Sequence, residues 1–291
     1  MATNQQRREA AKRKLERQLT RRAERAKRRR IIGVGVTIVV VGLVAGLVVF
    51  LVTRDREDVA ADPAASDSPS TPAPIQIPTE RAPEPKRPQP LADPVSCEYP
   101  VEEGKPAAKP VNAPAAGQVA SNGTVGVTMK TTAGDIPLTL NKALAPCTVN
   151  SFVNLVNQGF YTDTECHRLG TEGLQMLQCG DPQATGMGGP GYTFDDEVFP
   201  ELSYGRGILA MANAGKDPAT GKGTNGSQFF MVYGDAQLPP NYTVFGTIGD
   251  PGLEVLDKVA RDGIDAESAA TSQDGTGKPK TPVKFTAATV G

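Results

Sequence analysis

The chain has 291 residues, with 31 Lys/Arg against 32 Asp/Glu, one His and no Trp. That length accommodates one or two domains, and a Ser-His-Asp hydrolase would have to use His167, which narrows that class severely. The total charge of −1 hides an asymmetry: residues 1–30 carry 13 basic and 3 acidic side chains, a net of +10, which leaves −11 for the rest.

The basic head, residues 1–30, is built of good helix formers, and Leu15, Leu19, Ala23 and Ala26 repeat at helical spacing. It reads either as an amphipathic helix on anionic lipid or as a solvated arm that only sets membrane orientation. No aromatics interleave with its charges, so nucleic acid is not an expected partner. Residues 31–53 form a 23-residue run without a charge. About 20 such residues cross a bilayer, so a single transmembrane helix is expected, retained rather than cleaved as a signal peptide. Gly42 and Gly46 within it have the spacing of a helix-dimer face, which in a Gly/Val-rich span is more often incidental. The flanking charges put the N-terminus in the cytoplasm and the C-terminal mass outside, at the cell membrane.

Residues 54–95 read as a Pro/Ala-rich linker: Arg54 to Pro94 contains ten prolines and no aromatic residue, a semi-extended spacer. Residues 96–120 read as a strap on the surface of a folded domain over 121–291. In that domain Val125, Val127 and Met129, then Ile136, Leu138 and Leu140, alternate as in a hairpin. Pro146 opens a helix with Val149, Phe152, Val153 and Val156 on one face, and Gly159 closes it. Short strands are expected over 164–169, 174–179, 207–213, 227–233 and 242–248, with a Gly/Pro-rich loop at 180–200. Asp250-Pro251 opens a second helix, a polar loop follows, and residues 282–290 form a closing strand. Many short strands and two helices suit a mainly β fold closed as a barrel.

The residues that carry chemistry cluster late in the chain. The apolar run Ile208-Leu209-Ala210-Met211 ends in Ala212-Asn213-Ala214-Gly215, and a Gly-rich loop leads to Asn225-Gly226-Ser227-Gln228-Phe229-Phe230. Small residues, carboxamides and rings suit a groove for an extended peptide: Asn213 can bond a main chain, Gln228 a carbonyl, and Phe230 can floor an apolar pocket. Upstream lie His167-Arg168 and Met176-Leu177-Gln178; downstream lies Val244-Phe245-Gly246. In these motifs and their order the chain resembles the cyclophilins over roughly Ser121 to Gly291. The resemblance implies a closed eight-stranded antiparallel barrel capped by two helices, with peptidyl-prolyl cis-trans isomerase activity and no cofactor or metal. It implies Arg168 and Gln178 as catalytic residues, and Met176, Ala212, Asn213, Gln228, Phe230, Leu238 and Tyr242 as the binding surface for Pro-containing polypeptides. Phe229 is expected in the core and Phe230 in the pocket, since strand neighbours face opposite ways. His167 is read as structural. The chain departs from the family where Gln175 (or Leu174) replaces a pocket Phe, Gln237 a pocket Trp and Tyr242 a pocket His.

Cys97, Cys147, Cys166 and Cys179 are even in number and all follow the span. An oxidising compartment suggests two disulfides with three connectivities; free thiols and a metal site with His167 are the alternatives. Cys166 with Cys179 would pin Arg168 and Gln178, leaving Cys97 for Cys147. Two functions compete: a membrane-anchored isomerase assisting the folding of exported proteins, and a non-catalytic tethered binder of Pro-containing segments. Arg168 discriminates, because a binder has no need of it.

Overall fold

The computed structural model describes residues 75–102, 104–272 and 274–291. The basic head and the 31–53 run lie outside these residues, and among the described ones no helix is long and apolar enough to cross a membrane. The spacer reading of 54–95 does not hold from residue 75 onward. Residues 75–94 lie against the domain because their polar groups find main-chain partners there: Ala82 N–H donates to Arg206 O at 2.9 Å, Arg87 Nε to Leu144 O at 2.9 Å and Arg87 Nη2 to Glu197 O at 2.8 Å.

The strap begins and ends in a small antiparallel pair, β1 (Val95–Cys97) with β2 (Gly117–Val119). Cys97 at the end of β1 and Tyr99 just after it are buried, and Tyr99 packs edge-on against Tyr192 and Phe194. Lys109 Nζ donates to the carbonyls of Gly159 and Thr162 at 2.8 Å each.

β3 (Thr124–Thr131) and β4 (Gly134–Asn141) form the expected hairpin, with Val127, Met129, Ile136, Leu138 and Leu140 turned inward. Gly134 ends its turn at φ +135°, and a Cβ there would lie 2.6 Å from the Val255 side chain. α1 (Pro146–Asn157) buries Val149, Phe152, Leu155 and Val156. Its first turn is capped from a distance by Glu197, which accepts the N–H groups of Cys147 at 3.0 Å and Thr148 at 2.8 Å. Then come β5 (Arg168–Gly170), β6 (Leu174–Cys179), β7 (Ile208–Met211), β8 (Phe229–Ala236), β9 (Val244–Ile248) and α2 (Asp250–Asp262). A short helix α3 (Ala266–Thr271) and a two-residue strand β10 (Thr276–Gly277) stand where a polar loop was expected, before β11 (Phe285–Val290).

The sheet has nine strands in the order β10-β5-β6-β8-β7-β9-β4-β3-β11, not eight, and its ladder is not closed. β5 is three residues long and β10 two, so too few backbone groups meet to carry the ladder round to β11. The curled edges are instead joined by a single bridge, Glu165↔Lys284, flanked by Cys166 N–H to Val283 O and Phe285 N–H to Thr164 O, both 2.9 Å. Inside the curl, Phe152, Tyr161, Phe229 and Phe245 pack with ring centroids 5.0–5.6 Å apart, and Phe285 touches Phe229. α1 packs on this apolar interior through Phe152.

Candidate active site

Directly paired residues of neighbouring strands share a sheet face. Arg168 pairs with Gln178, Gln178 with Phe230 and Phe230 with Ala210, a single row across β5, β6, β8 and β7. Phe229 points into the aromatic interior, so Phe230 and the rest of this row face outward. Met176, two residues before Gln178, shares their face; Met176 is 2% and Phe230 5% exposed, so an apolar floor lies beside a partly exposed guanidinium. Tyr242 meets Phe230 edge-on at 5.6 Å, and Leu238 packs against the same core.

The polar side chains form a relay whose polarity is forced. Carbonyls only accept, so Gln228 Nε2 donates to Gly186 O and Gly188 O at 2.9 and 3.0 Å. Gln228 Oε1 therefore accepts from Gln178 Nε2 at 2.9 Å, and Gln178 Oε1 accepts from Arg168 Nη1 at 3.2 Å. Arg168 Nε also donates to Thr276 Oγ1 at 2.9 Å, and Nη2 to Asp274 Oδ2 at 2.6 Å. Of five N–H groups, one on each terminal nitrogen remains for a ligand.

Two expected roles change here. The Gln228 carboxamide is spent on the relay and positions Gln178 rather than facing a substrate. Asn213 Nδ2 donates to Asp196 Oδ1 and Asn241 O, and its Oδ1 accepts Gly215 N–H, so what Asn213 can offer a peptide is its backbone. The Ala212 N–H is likewise taken, by Gln228 O at 3.0 Å. Beside this end of the row a cavity of about 730 Å³ is lined by Ala212, Asn213, Gln228, the Gly186–Gly191 loop and, from the strap, Glu102 and Lys105–Ala108.

The cysteines are joined as Cys97–Cys147 and Cys166–Cys179, so none is free to bind a metal. The second bridge closes the end of the β5–β6 hairpin next to the Arg168↔Gln178 pair. Each disulfide thus fixes a different structure: one the strap onto α1, the other the catalytic-looking row.

A family model described as "Cyclophilin type peptidyl-prolyl cis-trans isomerase/CLD" matches residues 126–290. The chain belongs to the cyclophilins. It is 45% identical over 283 residues to the Mycobacterium leprae (strain TN) protein named "Probable peptidyl-prolyl cis-trans isomerase B", covering 91% of this chain and 93% of that one. The protein of the same name in Mycobacterium tuberculosis (strain ATCC 25618 / H37Rv) is 48% identical over 205 residues, 66% of this chain and 62% of that one. "Peptidyl-prolyl cis-trans isomerase B" of Streptomyces anulatus is 41% identical over 149 residues, 46% of this chain and 82% of that one. The chain is a peptidyl-prolyl cis-trans isomerase.

Within this cyclophilin, Gln175 is not a pocket residue: its Oε1 accepts Asp235 N–H at 2.9 Å and its Nε2 donates to Gln76 O at 2.7 Å, fastening β8 and the docked N-terminal segment. Gln237 is exposed, on the rim of a shallow cavity of about 480 Å³ with Leu202, Tyr204 and Leu238. Four residues at the site were not singled out from the sequence. Tyr204 donates its hydroxyl to Tyr242 O at 2.8 Å and accepts Tyr242 N–H at 3.0 Å, holding Tyr242 against Phe230. Burial pushes its pKa up to about 12, so it stays a donor. Asp181 accepts from Gln183 and Thr185 and shapes the loop whose carbonyls hold Gln228; its Asp-Pro start was the available signal. Asp274 and Thr276 hold Arg168 from the far side.

Proposed function

We propose that this cyclophilin isomerises X–Pro bonds of exported polypeptides at the outer face of a cytoplasmic membrane, with Arg168 as the catalytic cation. The observation that carries the reading is the row itself: a guanidinium fixed by Gln178, with two unused N–H groups, beside the apolar surface of Met176 and Phe230. Amide resonance sets a barrier of about 18–20 kcal/mol to rotation. At the top of that barrier the proline nitrogen is pyramidal and carries a lone pair that the planar ground state lacks. A donor aimed at that nitrogen stabilises the twisted state and not the planar one, which is the difference catalysis requires. Because Arg168 is already held in place, no reorganisation is needed as the lone pair forms. No proton is transferred and no covalent bond is made.

In this scheme Phe230, Met176, Leu238 and Tyr242 receive the proline ring, the backbone at Ala212–Asn213 aligns the peptide, and Gln178 orients Arg168, with Gln228 behind it. The 23-residue apolar run after a basic head supports anchoring with the domain outside. Two disulfides support an oxidising compartment.

The test is cis-trans exchange of a short Ala-Pro peptide by the full-length chain, wild type beside Arg168→Ala. Losing one preorganised donor costs on the order of 10²–10³ in rate. An Arg168→Ala protein that accelerates exchange as wild type does would remove Arg168 from the mechanism. A wild type that binds the peptide without accelerating exchange would make the tethered binder the better account.

A further inference from the structure

Arg168 is held by two groups that lie outside the row it belongs to. Asp274 Oδ2 accepts from Arg168 Nη2 at 2.6 Å, and Thr276 Oγ1 accepts from Arg168 Nε at 2.9 Å. The Thr276 hydroxyl in turn donates to Asp274 Oδ1 at 2.6 Å, so three groups form a closed ring of hydrogen bonds. Asp274 Oδ1 also accepts Ser272 Oγ at 2.8 Å and Thr276 N–H at 3.1 Å. The carboxylate is thus fixed before it meets the arginine, and the Thr276 and Ser272 hydroxyls hold its pKa well below the usual range. The turn is anchored in its own right: β10 pairs with β5, and α3 supplies Ser268 Oγ to Lys278 N–H at 2.7 Å.

From this geometry we infer that Asp274 is a positioning residue for isomerisation, acting through Arg168. The inference rests on the isomerase reading of the row and names the element that aims its cation. An arginine side chain has many rotamers, and a guanidinium that is not held loses that freedom each time it must point one way. Gln178 alone, at 3.2 Å, leaves the guanidinium free to swing about one contact. Asp274 and Thr276 take the opposite edge and Nε, so the plane of the fork is fixed and its two unused N–H groups keep one direction. An opposing effect exists, since the carboxylate also offsets part of the positive charge. The side chains are 34% and 55% exposed, so water screens that offset while the geometry is retained.

Asp274→Asn tells the two effects apart by sign, because losing the clamp slows turnover and losing the charge offset speeds it. An amide offers only one acceptor oxygen. If that oxygen serves Ser272 and Thr276, the NH₂ group faces Arg168, donor against donor. The variant keeps size and turn but removes both charge and clamp. In the full-length chain, positioning predicts a five- to tenfold fall in kcat with KM for the Ala-Pro peptide within twofold. In an Arg168→Ala background the same substitution should have no further effect. The Arg168 Nε–H proton resonance should broaden or shift in Asp274→Asn relative to wild type, and this readout does not depend on activity. Faster turnover would mean that the carboxylate is a brake, and an equal loss in the Arg168→Ala background would mean that it acts elsewhere. Either result, or an unchanged Arg168 resonance, overturns the proposal. A wild type without isomerase activity but with the resonance change would sink the isomerase reading of the row while leaving the clamp intact.

Discussion

The His167 ring lies against Gly186 with neither nitrogen hydrogen-bonded to the protein; the nearby Gln228 carboxamide is already committed to Gln178, Gly186 and Gly188. Burial lowers its pKa below the ordinary 6.5, the Arg168 charge adds to this and Asp181 opposes it. A base whose folded pKa is depressed binds fewer protons when folded, so stability falls as pH drops through about 6.5 and levels only below the folded pKa. Burial raises the Glu197 pKa, which gives the opposite slope, with stability lost as pH rises above 4.5. His167 is the sole histidine, so the difference between wild type and His167→Phe isolates its share. Between pH 7.5 and 5 the wild-type unfolding midpoint should fall relative to that variant; parallel curves would show the imidazole to be solvated. At this scale the sequence was partly legible. Period-2 alternation puts Met176 and Gln178 on one face and turns Phe230 away from Phe229, while the pairing of Gln178 with Phe230 is seen only in the structure. The partners that occupy Asn213 and Gln228 lie 17 to 42 residues away, at Asp196, Asn241, Gly186 and Gly188, in segments without periodicity.

Elements with a buried face could be read from their spacing, and those without one could not. α1 and α2 carry apolar stripes that pack on the sheet. α3 buries no side chain, and its sign in the sequence is the cap in which Asp265 accepts Ser268 N–H. β10 is too short for any pattern, yet it supports the turn behind Arg168. The two disulfides differ in what they constrain. Cys97–Cys147 closes 50 residues and ties β1 to the first turn of α1, whereas Cys166–Cys179 closes 13 residues within a hairpin. Loop-closure entropy gives about 4 kcal/mol for the longer loop and about 1 kcal/mol less for the shorter. Replacing Cys97 and Cys147 by Ser together should therefore lower the unfolding midpoint more than the same change at Cys166 and Cys179. It should also speed amide exchange over 95–119. The reverse order would mean that the hairpin bridge bears more of the domain's stability than chain entropy allows.

Over the whole molecule, the domain extends beyond the segment that resembles the family. A stretch rich in proline and free of aromatics has little apolar surface to bury, which is why composition pointed to a spacer. Residues 75–94 dock through hydrogen bonds to main-chain carbonyls instead, and a carbonyl acceptor has no signature in a sequence. Arg81 reaches Asp250 at 2.6 Å and the Ile248 carbonyl, joining the segment to the end of β9 and the start of α2. Arg87 bonds Leu144 O and Glu197 O and lies 5.0 Å over the Phe199 ring, joining the segment to the approach to α1 and to the main chain of the residue whose carboxylate caps that helix. The two arginines differ in expected weight. Arg81 pairs with an 82%-exposed carboxylate, a contact of about 0–1 kcal/mol. Arg87 makes two charge-assisted bonds in part-buried surroundings and a ring contact, and its loss would leave two carbonyls unpaired, about 2–3 kcal/mol in all. In the full-length chain, Arg87→Ala should lower the domain's Tm by about 5–10 °C. Arg81→Ala should lower it by no more than about 4 °C, and neither should change the rate on an Ala-Pro peptide, because neither side chain reaches the row from Arg168 to Phe230. Equal, small shifts would return residues 75–94 to the role of spacer. A large shift confined to Arg87→Ala would place the boundary of the folded unit before the strap, so that a protein trimmed to the family-like segment lacks part of what holds α1 in place.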